Sequence, residues 1–157
     1  MLYRTLGLEK TGVGSPDSGR VVVERQLREW GVRDEGRAIR DGSGLSRHDY
    51  LTPGTIIRVL DAMRRAPTFP LYRDALPLAG VDGTLRTRMQ TFARGRVQAK
   101  SGTIDKVRAL SGYVTTADGE LLLFSIIANN FTVPNREVDR AAELIVEHLV
   151  NLRRVAP

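Results

Sequence analysis

From Arg96 onward the hydrophobic pattern of the chain changes period. Upstream, apolar residues recur at helical spacing. Then "RVQAKSGT" (96–103), "VRALSGYVTT" (107–116) and "ELLLFSIIANNF" (120–131) follow one another as three extended segments. The last two are separated by "ADG" (Ala117 to Gly119), a hairpin signal. The third is almost continuously apolar from Leu121 to Ala128, so burial on both faces is expected. Pro134 and Asn135 then open a final helix with Val138, Ala142, Ile145, Leu149 and Leu152 on one face. An antiparallel meander with a long C-terminal helix packed across it is the natural assembly, which makes the expected class α+β with a helical N-terminal half.

The N-terminal half reads as helices and loops. Residues 1–7 read as helix, with Leu2, Tyr3 and Leu6 apolar and Gly7 at a C-cap position. It has no N-cap and barely two turns, where about 12–15 residues is already marginal for an isolated helix, so it is expected to be the end of something longer. Ser15 and Pro16 supply an N-cap and a first-turn proline, and Val23, Leu27 and Trp30 share a face before Gly31. A Gly/Ser loop, "RDGSGLSRHDYLTPG", runs from Arg40 to Gly54; Thr52 and Pro53 then cap a helix with Ile56, Val59, Leu60 and Met63 as its apolar stripe. "FPLYRDALPLAGVDGTLRTRM" mixes short helical pieces with Pro and Gly turns.

At 157 residues, 41% hydrophobic and 27% charged, the chain fits one soluble domain with a real core, taken here as 1–157. No apolar run approaches the ~20 residues of a membrane span, and "MLYRTLGLEK" shows no signal peptide. Cysteine is absent, and His48 and His148 lack metal-ligand spacing, so no disulfide, metal or cofactor is expected. The net charge of +6 raises nucleic acid as a partner, but the arginines are interleaved with acids, with no run beyond Arg64-Arg65 and Arg153-Arg154. A phosphate-tracking surface needs a stripe or cluster, so a solvated basic surface is the better reading.

Several chemistries are set aside by spacing. In "RVQAKSGT" the glycine of a phosphate loop is replaced by Ala99, "DGSGLS" lacks the third glycine of a dinucleotide fingerprint, and no serine has the flanking glycines of a nucleophile elbow. Two Lys-hydroxyl-Gly triplets remain. Lys10-Thr11-Gly12 lies in a loop of turn residues and reads as plain loop. Lys100-Ser101-Gly102, followed by Thr103, lies inside a strand, where glycine is unfavourable unless another backbone must come close. It is either an anion and peptide cradle, made by a buried lysine beside hydroxyls and a bare backbone edge, or a solvated lysine on an edge strand with Gly102 at a bulge.

"AKSGT" followed by "ALSGYVTTADGELLLFSIIANN", and preceded by "LPLAGVDGTLRTRM" and "RDGSGLSRHD", resembles the penicillin-binding D-alanyl-D-alanine carboxypeptidase/endopeptidase family, the low-molecular-mass class C group. Four separate stretches carry the resemblance over essentially the whole chain. That family combines a Ser-x-x-Lys holding the nucleophile, a Ser-x-Asn and a Lys-Thr/Ser-Gly strand. No serine here has lysine three residues on or asparagine two residues on. The resemblance therefore implies the C-terminal part of such an enzyme, a partial DD-peptidase-like fold beginning just past the second motif.

By the same resemblance Lys100 is the catalytic cation of the site, and Ser101 and Thr103 donate hydroxyl hydrogen bonds to the substrate's terminal carboxylate, a group that penicillins share. Gly102 lets a D-Ala-D-Ala stem peptide of peptidoglycan lie along the strand, and the Thr103 N–H is one oxyanion donor. Losing one such donor costs ~10²–10³ in rate, and losing the nucleophile costs about 10⁶ in a comparable serine hydrolase, so the chain alone is expected to be inactive. A non-catalytic peptide-binding module is the other function considered. "DGSGLSR" (Asp41 to Arg47) and "GVDGTL" (Gly80 to Leu85) match the family but receive no chemistry, and His48, Asp49 and His148 are expected to be bystanders. In relatives, N-terminal strands complete the sheet beside its last strand, so self-association through that edge is expected here. The implied location is periplasmic or extracellular.

Overall fold

Three strands form one antiparallel sheet in the order β1-β2-β3: β1 is Val97–Ile104, β2 Val107–Thr115 and β3 Leu121–Asn129. This computed structural model describes residues 1–91 and 93–154. The β1–β2 register is unbroken from Val97 opposite Val114 to Ile104 opposite Val107, and the β2–β3 register from Val107 opposite Asn129 to Thr115 opposite Leu121. In the second hairpin Gly119 takes the left-handed conformation at φ 88°, and the Thr116 hydroxyl accepts from the Glu120 N–H at 2.9 Å. The expected "ADG" turn is therefore the observed one.

Alternation splits the sheet into two faces. On one, Val97, Ala99, Leu110, Val114 and Phe124 join Ala79, Leu85, Met89 and Ala93 in a core closed by Val146 and Val150 of the last helix, α5 (Asn135–Asn151). Each fully buried Leu or Val contributes about 1.5–3 kcal/mol. On the other face Tyr113 is buried beneath Phe69 and Tyr72 of the short helix α4 (Phe69–Asp74), with ring centroids 5.1 and 6.4 Å away in edge-to-face geometry. Burial raises the Tyr72 phenol above its ordinary pKa.

Two expectations shift here. The stripe expected on α5 is rotated: Ala142, Val146 and Val150 are buried, whereas Ile145 is 49% and Leu152 40% exposed. Apolar residues at 144, 145, 146, 149 and 150 allow two helical phases, and the sheet takes the one that inserts the two valines. The continuously apolar β3 is not buried on both faces, because Phe124 is its only buried residue and the strand lies at the end of the described sheet.

The chain divides into two units, Met1–Ala62 and Met63–Pro157, the sheet lying in the second. In the first, α1 (Leu2–Thr11) packs on α2 (Pro16–Glu29). Gly7 does not end α1. It sits inside the helix, where a Cβ would come within 2.2 Å of Ser18 Oγ and 2.7 Å of the Val13 carbonyl; at Gly19 a Cβ would come within 2.0 Å of the Tyr3 carbonyl. These glycines let the two backbones touch, and the left-handed C-cap is Gly12, at φ 75°. Ser15 caps α2 as expected, in a reciprocal box with Ser18, and Thr52 caps α3 (Pro53–Arg65) through a 3.1 Å bond from the Thr55 N–H. Each such cap contributes about 1 kcal/mol.

Candidate functional site: the outer edge of the first strand

The β1 edge turned away from β2 is covered over only part of its length. The Ala99 N–H donates to the Pro77 carbonyl at 3.0 Å, and the Val97 carbonyl accepts from the Ala79 N–H at 2.9 Å. A bridge between Leu78 and Gln98 completes this strap. Beyond Ala99, among the described residues, no segment pairs with the edge. Backbone groups alternate in direction along a strand. The N–H and C=O groups of Ser101 and Thr103 therefore point outward, as those of Ala99 do.

Lys100, Ser101, Gly102 and Thr103 all lie on this open stretch. Ser101 and Thr103 share the face that carries Ala99. Lys100 is on the opposite face, in a row with Ser111 and Ser125, whose hydroxyls are 2.9 Å apart. Its ammonium bends back to the edge and donates to the Ser101 carbonyl at 2.5 Å. One cation, two hydroxyls and outward backbone N–H groups converge on a single rim, which is chemistry suited to an anionic group at the end of an extended chain.

The structure keeps part of each reading of the triplet: Lys100 is exposed on the edge strand rather than buried, because its side chain projects from an uncovered stretch, whereas Gly102 is not at a bulge. The unbroken register holds no bulge there. A Cβ on Gly102 would meet only the Ala109 Cβ, at 3.5 Å, an ordinary contact, so the fold itself has no need of glycine at this position. Across the hairpin Gly112 is the opposite case, since a Cβ there would lie 2.2 Å from the Gln98 carbonyl oxygen.

Two neighbours of this rim were not anticipated. The Ser101 hydroxyl donates to Thr84 Oγ1 at 2.9 Å, which brings "GVDGTL" to the site. The rest of that stretch is scaffold: Asp82 Oδ1 accepts from the Leu78 N–H at 2.7 Å, which holds the strap, and Leu85 is fully buried in a short 3₁₀ turn, Gly83–Leu85. Arg108, opposite Thr103, donates from Nη1 to Thr103 Oγ1 at 2.5 Å. Thr84 is 17 positions from Ser101, and no spacing marks it. Arg108 could have been found by counting across the Asp105-Lys106 turn.

"DGSGLSR", in the first unit, is a loop built on its own side chains. Asp41 Oδ1 accepts from the Ser43 N–H at 2.8 Å, Ser43 Oγ from the Leu45 N–H at 3.0 Å, and Ser46 Oγ from the His48 N–H at 3.2 Å. The Ser43 backbone bond, then its side chain, holds the Asp41 carboxyl below its ordinary pKa. Asp49 accepts from the Arg40 N–H at 2.6 Å. The Tyr3 ring packs over Gly42, 3.0 Å from where a Cβ would stand, and its phenol pKa is raised by burial and by the nearby Asp49 and Asp41. His148 is exposed on α5.

Comparison with known proteins adds the identity of the frame. Residues 1–151 match the model of the D-Ala-D-Ala carboxypeptidase 3 (S13) family. The chain belongs to this family. A D-alanyl-D-alanine carboxypeptidase of Actinomadura sp. (strain R39) is 43% identical over 140 residues, covering 85% of this chain and 26% of that protein. The D-alanyl-D-alanine carboxypeptidase DacB of Haemophilus influenzae is 31% identical over 137 residues, covering 85% and 29%. Among solved structures, penicillin binding protein 4 (dacB) from Haemophilus influenzae superposes with a TM-score of 0.85 at 25% identity over 96% of this chain and 36% of that one. A second structure of it is complexed with a novel β-lactam and gives a TM-score of 0.83 at 26% identity, covering 96% and 37%. This S13 chain thus spans about a quarter to a third of the length of these relatives. No helix among its described residues is long and apolar enough to cross a membrane.

Proposed function

We propose that this S13 chain is the C-terminal part of the catalytic domain of a serine-type D-alanyl-D-alanine carboxypeptidase/endopeptidase, with residues 1–157 contributing one wall of the site. The substrate would be a peptidoglycan stem peptide, processed outside the cytoplasmic membrane through an acyl-enzyme. The open edge of β1 is the observation that carries this reading. A D-Ala-D-Ala terminus would pair with the outward backbone groups beside bare Gly102, its carboxylate taking the Thr103 hydroxyl and that of Ser101, which would turn to it from Thr84 Oγ1, and lying close to the Lys100 ammonium. The Thr103 N–H, directed outward, would be one of two donors to the oxyanion formed when the scissile carbonyl is attacked. The attacking serine would come from a Ser-x-x-Lys, which these 157 residues do not contain, and the chain alone would bind without hydrolysing.

Nuclear magnetic resonance titration with an acetylated peptide ending in D-Ala-D-Ala tests this directly. Reversible shifts at Ser101, Gly102 and Thr103, lost in Lys100→Ala, are expected, with no covalent adduct of penicillin by mass spectrometry. A folded chain with no shifts on β1 would sink the reading, and a penicillin adduct would remove the claim of inactivity. In-frame Ser-x-x-Lys and Ser-x-Asn codons upstream of Met1 would make the chain part of a complete enzyme. An upstream stop codon would favour the non-catalytic peptide-binding module instead.

The outer edge of β3 supports a second proposal about partners. A long apolar edge strand is a template for pairing with another chain, and β3 is the last strand of the described sheet. The isolated chain is expected to self-associate, and light scattering that shows a monomer at every concentration would count against it.

A further inference from the structure

Thr103 is the one hydroxyl of the open edge whose hydrogen bonding is governed by a charged side chain on the next strand. Arg108 Nε donates to Asp139 Oδ1 at 3.2 Å and Nη2 to Asp139 Oδ2, while Nη1 reaches Thr103 Oγ1 at 2.5 Å. Asp139 stands on α5 and also forms an ion pair with Arg88, Nη2 lying 3.6 Å from Oδ1; Arg88 Nε in turn donates to Glu143 Oε1 at 2.6 Å. All four charged side chains are between 15% and 24% exposed. The two-pronged pairing with Asp139 fixes the plane of the guanidinium and so the direction of the third donor.

The direction of that third bond matters chemically. A guanidinium has donors and no acceptor, so Thr103 Oγ can only accept from it. The single proton of the Thr103 hydroxyl must then point to a different acceptor. We propose that Arg108 is a positioning residue that keeps the Thr103 hydroxyl a donor toward an incoming carboxylate, with Asp139 and the Arg88–Glu143 pair holding Arg108 in place. This rests on the function proposed above and adds to it the residue that sets the preference for a charged peptide terminus. The competing role for Arg108 is only to tie α5 to the sheet.

The two roles separate when the chain is titrated with the acetylated D-Ala-D-Ala peptide and with the same peptide as a C-terminal amide, alongside thermal melts. The wild-type chain is expected to prefer the free carboxylate. Arg108→Gln is expected to reduce that preference on the order of fivefold, the scale of one directed hydrogen bond, and Arg108→Lys to restore part of it. In a Thr103→Val background Arg108→Gln should change the preference no further. Should Arg108→Gln fail to fold, Arg108→Lys and Asp139→Asn carry the test, each lowering the preference by a smaller factor. Folded variants that melt earlier with an unchanged preference would overturn the proposal, as would a wild-type chain that binds both peptides equally. Binding of neither peptide would instead overturn the function proposed above, and the role of Arg108 with it.

Discussion

Lys10-Thr11-Gly12 and Lys100-Ser101-Gly102 are the same chemical string placed in two different backbones. In the first, glycine is there for its dihedral angles: Gly12 sits at φ 75° and its N–H closes α1 on the Leu8 carbonyl at 2.9 Å. The hydroxyl before it is spent inside the helix, Thr11 Oγ1 donating to the Gly7 carbonyl at 2.8 Å. In the second, glycine has ordinary extended dihedrals and no neighbour that excludes a side chain, and both flanking hydroxyls stand at an unpaired edge. A motif of three residues carries no chemistry until the backbone decides whether its polar groups face inward to the chain or outward from it.

The largest expected effect that would break this contrast is on binding. Lys100→Ala removes a charge-assisted contact worth about 1.5–3 kcal/mol and should weaken the D-Ala-D-Ala peptide by tens of fold in a calorimetric or resonance titration. Lys10→Ala should leave its affinity unchanged, and equal losses would mean that the second triplet is no more a site than the first. Next comes the pair of glycines. Gly12→Ala forces a side chain into the left-handed region and should destabilise the chain by about 1 kcal/mol in chemical denaturation. Gly102→Ala should leave stability unchanged or raise it by about 0.5 kcal/mol, while a methyl group on the edge obstructs the peptide. A destabilised Gly102→Ala would return that glycine to a structural role.

A smaller effect belongs to the frame behind the second triplet. The Asp118 carboxyl is held below its ordinary pKa, first by the Thr116 hydroxyl and then by the Arg154 N–H. A folded-state pKa below the unfolded one means stability that is complete above the carboxylate range and is lost as pH falls through the folded value. Thermal melts between about pH 5 and pH 2 should therefore fall less steeply in Asp118→Asn than in the wild-type chain. Identical slopes would show that this contact does not contribute.

Most of the framework was legible because it is local. The three strands, the "ADG" turn and the caps at Ser15 and Thr52 follow from period and from residues a few positions apart. Gly7 misled because glycine serves two ends, left-handed dihedrals at a helix terminus and close approach within a packed helix, and only the position of α2 tells them apart. The phase of α5 was ambiguous in the same way, since its apolar residues cover more than one face. At the site, the four residues from Lys100 to Thr103 could be named from sequence. Of their companions, Arg108 follows from the register once the turn at Asp105-Lys106 is recognised, whereas Thr84 arrives from a separate turn that no spacing ties to Ser101.

The strap at Pro77–Ala79 gives the open edge a fixed origin. Its backbone bonds end at Ala99, and the chain before Pro77 turns away into α4, whose last turn the Leu76 N–H closes on the Arg73 carbonyl at 3.1 Å. An added strand would therefore be blocked at the Lys100 end, while no described segment pairs with the edge from there to Ile104. At roughly 3.3 Å per residue, the stretch from Lys100 to Ile104 measures off only about five residues of any guest. Under the proposed function it would act as a ruler whose zero is built into the fold, and a guest would be read by distance from its own terminus.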